Sequence, residues 1–155
     1  MKKTTGTLLP YFSLSGMEAG LDEAGRGCLA GPVYASAVVL PKTYKNKWLD
    51  DSKKLSDKDR YELRPEIEAK AMAWAIGSVD NLEIDRINIL QASLKAMRVA
   101  TKDLRIAPEF MLIDGNRFVT EKGLPPHECF IKGDGRFASI AAASVLAKTH
   151  RDERM

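Results

Sequence analysis

Cysteine and histidine are scarce in this chain, two of each in 155 residues. Cys28 and Cys129 stand far apart and match no zinc-ligand spacing, so they read as small packing residues in a reducing compartment rather than as a metal site. His127 and His150 likewise lack the spacing of metal ligands. No apolar run approaches the roughly 20 residues that cross a bilayer, which argues against a membrane protein. The segment Met1 to Pro10 lacks the long apolar centre of a secretory signal, so a cytoplasmic protein is expected. Neither charge sign dominates, and the formal net charge of +3 permits a nucleic-acid partner without demanding one. No repeat or low-complexity tract divides the chain, and its length suits one domain over residues 1–155.

What is present is a pattern of short apolar strands and longer helices. Met17 to Asp22 reads as a strand that runs into the glycine turn Gly25-Arg26-Gly27, and Val33 to Leu40 as its antiparallel neighbour. Thr43 to Leu55 is a polar, lysine-rich loop. Ser56 offers an N-cap with Asp59 three residues on, and a helix follows to about Lys70, with a kink or restart expected at Pro65. Ala71 to Val79 reads as a third strand, and Leu82 to Leu104 as one helix with a buried stripe through Ile84, Ile87, Leu90, Leu94 and Met97. Phe110 to Ile113 and His127 to Ile131 are further strands, and Phe137 to Arg151 is an alanine-rich closing helix. This order predicts an α/β fold with a central five-stranded mixed sheet flanked by helices.

Three of the five strands run into acidic residues: Asp22-Glu23, Asp114 and Asp134, each soon followed by glycine. Asp-Gly after a strand is ordinary turn chemistry, and for any one of these positions that is the commoner explanation. Three in one small domain point further, because strand ends are where side chains of separate strands converge on a cleft. Converging carboxylates repel and lose hydration unless a cation lies among them. Hard divalent ions accept such oxygen ligands and complete their shell with water and substrate phosphate. Asp22 and Glu23 are neighbours that a regular strand directs to opposite faces, so joint service at one site requires the strand to end or bulge between them.

Four stretches together resemble the ribonuclease HII family, the type 2 ribonucleases H. They are Gly20-Leu21-Asp22-Glu23-Ala24-Gly25-Arg26-Gly27 with Leu29-Ala30-Gly31-Pro32, then Asp51-Ser52-Lys53-Lys54-Leu55-Ser56, then Ile113-Asp114-Gly115-Asn116, and last Lys132-Gly133-Asp134 with Ser139 to Ser144 and Ala147-Lys148. They occur in family order and span nearly the whole chain. The resemblance implies a ribonuclease H-like fold in which Asp22, Glu23, Asp114 and Asp134 hold catalytic Mg²⁺ or Mn²⁺, with a two-metal mechanism. It implies hydrolysis of RNA in RNA/DNA hybrids, and nicking of ribonucleotide-containing duplex DNA on the 5′ side of the ribonucleotide, leaving a 3′-hydroxyl and a 5′-phosphate. It implies that Gly25, Arg26 and Gly27 read the ribose 2′-hydroxyl, the group that separates RNA from DNA. Lys53 is the favoured phosphate contact and Ser139 a further substrate contact, while Lys54, Trp48 and Asp152 receive no role.

The chain departs from the family pattern at its end. Family members usually continue with a C-terminal segment whose tyrosine stacks on a sugar near the cut, and no tyrosine follows Tyr61 here. The resemblance therefore leaves two alternatives beside a working monomeric nuclease: a truncated domain that binds metal or hybrid without cutting, or a DNA-specific nuclease of the same superfold. The glycine-arginine-glycine turn argues against the latter, and against a small-molecule phosphatase.

Overall fold

Strand β1 (Glu18–Ala24) is the axis around which the other elements are laid. A computed structural model describes residues 8–25, 31–50 and 54–154. The sheet has the order β3-β2-β1-β4-β5, with β2 spanning Val33–Val39, β3 Ala73–Val79, β4 Phe110–Asp114 and β5 His127–Phe130. β1 pairs antiparallel with β2 and parallel with β4, so the sheet is mixed, as the element order predicts. Val-rich β2 is buried along its whole length, which suits a strand covered on both faces.

Alternation along the strands sorts residues onto the two faces. Ala19, Leu21, Ala35, Ala37, Met111 and Ile113 pack with Ala92, Ala96, Met97 and Ala100 of helix α3 (Ile89–Asp103). On the opposite face Val38 packs with Leu63 and Ile67 of α1 (Asp57–Lys70) and with the alanines of α4 (Ala138–Arg154). Leu112 joins Phe130, Phe137 and Ile140 there. At Gly20 a Cβ would collide with the backbone of Ser139 and Ile140, so glycine is what lets α4 lie directly on the central strand.

Three local expectations change. The single helix expected over residues 82–104 is two helices, α2 (Asn81–Ile87) and α3, divided at Asn88. Asn88 adopts φ 74° and its side chain accepts from the Gln91 N–H at 3.0 Å, so one residue both breaks the first helix and caps the second. Helix α1 runs through Pro65 without interruption, held by buried Leu63 and Ile67 against α4. β1 continues past Asp22 to Ala24. The Ser56–Asp59 capping box forms as expected. The loop before it is not wholly superficial, because Leu49 and Leu55 are buried. No helix among the described residues is long and apolar enough to cross a membrane.

Candidate active site

The registers of β1 decide which acids meet. Leu21 pairs with Ile113 across the parallel β1–β4 ladder, so Asp22 and Asp114 stand at the next position, side by side where β4 ends and β1 runs on to Ala24. Both fall on the α4 face, out of step with Leu21 and Ile113, which point to α3. Asp134 arrives from a single 3-10 turn, Gly133–Gly135, between β5 and α4. That turn is fastened to β4: the Gly133 N–H donates to Asp114 Oδ1 at 2.6 Å. It is fastened again from outside, where Leu9 N–H donates to the Arg136 carbonyl at 2.7 Å and Ala138 N–H donates to the Leu9 carbonyl at 2.9 Å. A Cβ at Gly133 would stand 2.7 Å from Ile140 Cδ1, so the turn packs closely on α4 and a side chain there would have to displace the end of Ile140.

The electrostatics are those of crowded carboxylates. Asp22 is 4 % exposed, and burial pushes its pKa well above the ordinary aspartate value. Asp114 and Glu23 raise it further, while Lys148 and the Glu23 N–H, which donates to Asp22 Oδ1 at 2.8 Å, pull it down. The Asp114 carboxyl is also raised, first by burial and then by Asp134, against hydrogen bonds with Asp22, Gly133 and Asp134 that lower it. Asp22, Asp114 and Asp134 therefore form a linked series in which each charge disfavours the next.

Glu23 is placed differently. The β1–β2 ladder passes through Asp22↔Ser36 and Glu23↔Ala35 without a bulge, so the pleat sends the two side chains to opposite faces. Glu23 is half-buried near the strand's end, close enough to act on Asp22 electrostatically.

The donor set suits a hard cation. Among the described residues no group of three or more His, Cys, Asp or Glu side chains is arranged to hold a metal ion unaided. An all-oxygen site that relies on substrate phosphate and water for its remaining ligands needs no such cage. Ser36 adds an observation of its own: it is fully buried on the strand partnering β1, directly across from Asp22, and its hydroxyl has no hydrogen-bond partner. An orphaned buried hydroxyl beside a repelled carboxylate is an environment that a hydrated cation satisfies.

The remaining sequence-derived site residues divide. Gly25 ends β1 with φ +98°, a left-handed conformation that favours glycine. Arg26, Gly27 and Lys53 lie outside the described residues. Ser139 is buried in the seam between α4 and Gly20. Lys54 is exposed. Trp48 is half-buried against the α1–α4 core, with the Lys47 ammonium 5.2 Å from its ring. Three residues at or near the acids carry no role from sequence: Ser36, Lys148, whose ammonium donates to Ser144 Oγ at 2.8 Å, and Arg151. Lys148 and Arg151 share a helical face with Ser144, at spacings of four and seven; Lys148 also closes the last family motif, whereas for Arg151 that periodicity is the signal in the sequence.

Comparison with known proteins gives a consistent result. Residues 19–155 match the family described as Ribonuclease HII. A ribonuclease HII of Parabacteroides distasonis is 58% identical over 148 residues, covering 96% of this chain and 74% of that protein. Among solved structures, the ribonuclease H2 from Pyrococcus horikoshii OT3 superposes with a TM-score of 0.74 at 26% identity, over 88% of this chain and 72% of that one. A Bst ribonuclease HIII solved in complex with Mn²⁺ shares the fold, with a TM-score of 0.68 at 21% identity over 97% of this chain and 54% of that one.

Proposed function

The chain belongs to the ribonuclease HII family of endoribonucleases, and from that premise we propose that it cuts RNA in RNA/DNA hybrids and nicks duplex DNA 5′ to an embedded ribonucleotide, using Mg²⁺ or Mn²⁺. The observation that carries this reading is the placement of Asp22 and Asp114 side by side on adjacent strands, where β4 ends, beside the tethered turn of Asp134. The Mn²⁺ complex of the related ribonuclease HIII supports divalent-metal use. A single sheet covered by helices on both faces supports treating residues 1–155 as one catalytic domain.

In this reading Asp22, Asp114 and Asp134 hold the cations from the α4 face, and Glu23, which the pleat directs to the other face, joins them only around the end of β1 rather than from the same side. The metal, when bound, supplies an activated water and charge to stabilise the leaving 3′ oxygen. The Gly133 N–H fixes one oxygen of Asp114, and the Glu23 N–H fixes one of Asp22, so both carboxylates are pre-oriented. Gly25, Arg26 and Gly27 meet the ribose 2′-hydroxyl, and Lys53 neutralises a backbone phosphate. Ser139 lies at the N-terminal turn of α4, where a hydroxyl and helix N–H groups suit an anion.

A denaturing gel tests this with a labelled DNA duplex bearing one ribonucleotide, in Mg²⁺, Mn²⁺ and chelator, beside an all-DNA control. One metal-dependent nick 5′ to the ribonucleotide is expected. Asp22→Asn and Asp134→Asn should each lower the rate by roughly a hundredfold or more, since a misplaced cation forfeits several kcal/mol of transition-state stabilisation. Normal turnover by either variant overturns the metal assignment. A folded wild-type chain that binds metal without cutting overturns the nuclease reading in favour of a binding domain.

A further inference from the structure

The turn that carries Asp134 has little to hold it from within. Its own backbone bonds are short-range: the Gly135 N–H donates to the Lys132 carbonyl, and the Arg136 and Phe137 N–H groups share the Gly133 carbonyl. A lone 3-10 turn bonded in this way is weakly fixed. Leu9 holds it from outside on both strands of its backbone, since its N–H meets the Arg136 carbonyl and its carbonyl accepts from the Ala138 N–H. Ala138 opens α4, and the first N–H groups of a helix have no partner inside it. The Leu9 carbonyl thus does for α4 what a capping side chain does elsewhere.

The residues after Leu9 are anchored twice. The Phe12 ring lies 5.7 Å from Phe110 of β4, 5.5 Å from Phe130 of β5 and 6.1 Å from Phe137 at the head of α4. The Phe12 and Ser13 N–H groups donate to the two oxygens of the buried Glu18 carboxylate, at 2.9 and 2.5 Å. Lys42 closes this second anchor: its ammonium lies 3.6 Å from Glu18, donates to the Ser13 carbonyl at 2.6 Å, and stands 5.4 Å from the Tyr11 ring. A buried charge met by two N–H groups and a lysine is a costly arrangement to assemble, and here its N–H partners belong to the N-terminal segment. Phe12 itself is 44 % exposed, so its ring adds little to the general core. Its contacts are instead gathered around the Asp134 turn.

We propose that residues 9–13 are a positioning strap, fastened by Phe12 and Glu18, that presses the Asp134 turn onto β4 and β5 and so sets where the Asp134 carboxylate stands relative to Asp114. The turn is then held from two sides, by the strap at Arg136 and Ala138 and by Asp114 at Gly133. The strap precedes the residues that match the family, 19–155. Its consequence for metal rests on the reading of Asp134 as a cation ligand.

The test compares the full chain with Phe12→Ala, Phe12→Tyr and Glu18→Gln. Phe12→Ala should speed amide hydrogen exchange across residues 133–138 by about tenfold or more, with β2 and α3 unchanged. Glu18→Gln leaves the rings in place and loosens the other anchor, so it should act in the same direction. Phe12→Tyr keeps the ring and should exchange like the wild type. In titration calorimetry Phe12→Ala should bind Mg²⁺ about tenfold more weakly, and cutting of the single-ribonucleotide duplex should need correspondingly more Mg²⁺ while its rate at saturating Mg²⁺ stays within twofold. Unchanged exchange at the turn, equal acceleration in α3, or unchanged Mg²⁺ affinity beside a loosened turn overturns the strap. If the wild-type chain neither binds Mg²⁺ nor cuts that duplex, the proposed function fails, and the exchange measurement alone decides the strap.

Discussion

Ser36 and Asp22 face each other across the β1–β2 ladder, one an unpartnered hydroxyl and the other a carboxyl held above its ordinary pKa by burial and by Asp114. Both are costs in the protein without a cation, and under the proposed function a cation with its waters would relieve both. Asp22→Asn should therefore raise stability in chelator by ~1 kcal/mol, roughly 2–4 °C for a chain of this size, while abolishing the increment that Mg²⁺ adds to the wild type. Differential scanning calorimetry in the presence and absence of Mg²⁺ checks it; a destabilised Asp22→Asn would mean that the carboxyl is structurally satisfied. Ser36→Ala should be neutral or stabilising by about 1 kcal/mol in chelator, because it removes a hydroxyl that has no partner, yet should weaken Mg²⁺ binding several-fold by titration calorimetry. The acids were legible in the sequence because each stands near a glycine within a family motif, although only Asp114 is the last residue of its strand. Ser36 was not, since a serine inside a valine- and alanine-rich strand signals nothing until the register places Asp22 opposite. The arrangement of Asp22 and Glu23 was not legible: joint service calls for the strand to end or bulge between them, and β1 instead runs through both without a bulge to Ala24.

At the level of elements, the strands, their mixed pairing and the closing helix followed from apolar patterning, because β2 and β3 are short valine- and alanine-rich runs and β4 is an apolar run that ends at Asp-Gly. The helix boundaries did not. The apolar stripe of residues 82–104 continues across Asn88, and periodicity cannot see that one asparagine adopts positive φ and caps the second helix. Pro65 misled in the other direction, because the kink expected from local sequence yields to the packing of Leu63 and Ile67. The element contact that matters most for function is α4 on β1, since it fixes the helix beside Asp22 and, through the preceding turn, Asp134 beside Asp114. Gly20→Ala places a methyl into the backbone of Ser139 and Ile140 and should cost ~1–3 kcal/mol in urea unfolding. It should also weaken Mg²⁺ affinity, because any retreat of α4 carries the Asp134 turn with it. A variant destabilised by that amount but unchanged in metal affinity would show that the acids are set by the strands alone.

The molecule as a whole carries 24 basic and 21 acidic residues, so its net charge of +3 alone draws it only weakly to nucleic acid. Several basic side chains are already engaged: Lys95 with Glu83, Arg98 and Lys102 with Glu121, and Arg64 with Glu68 and Glu153. Affinity for a duplex must then come from a few local contacts, and each should be visible separately in the salt dependence. Every phosphate neutralised contributes about −0.9 to the slope of log K against log salt on B-DNA. Lys53→Ala, measured in an Asp134→Asn background that prevents cutting, should reduce the slope by about one and weaken binding to all-DNA and single-ribonucleotide duplexes equally, because a phosphate contact is blind to the sugar. Gly25→Ala, which puts a side chain on a left-handed backbone position, should do the reverse, leaving the slope alone and narrowing the difference between the two duplexes. If Lys53→Ala instead narrows that difference at constant slope, the lysine belongs to sugar recognition, and the division of labour between charge and shape is drawn in the wrong place.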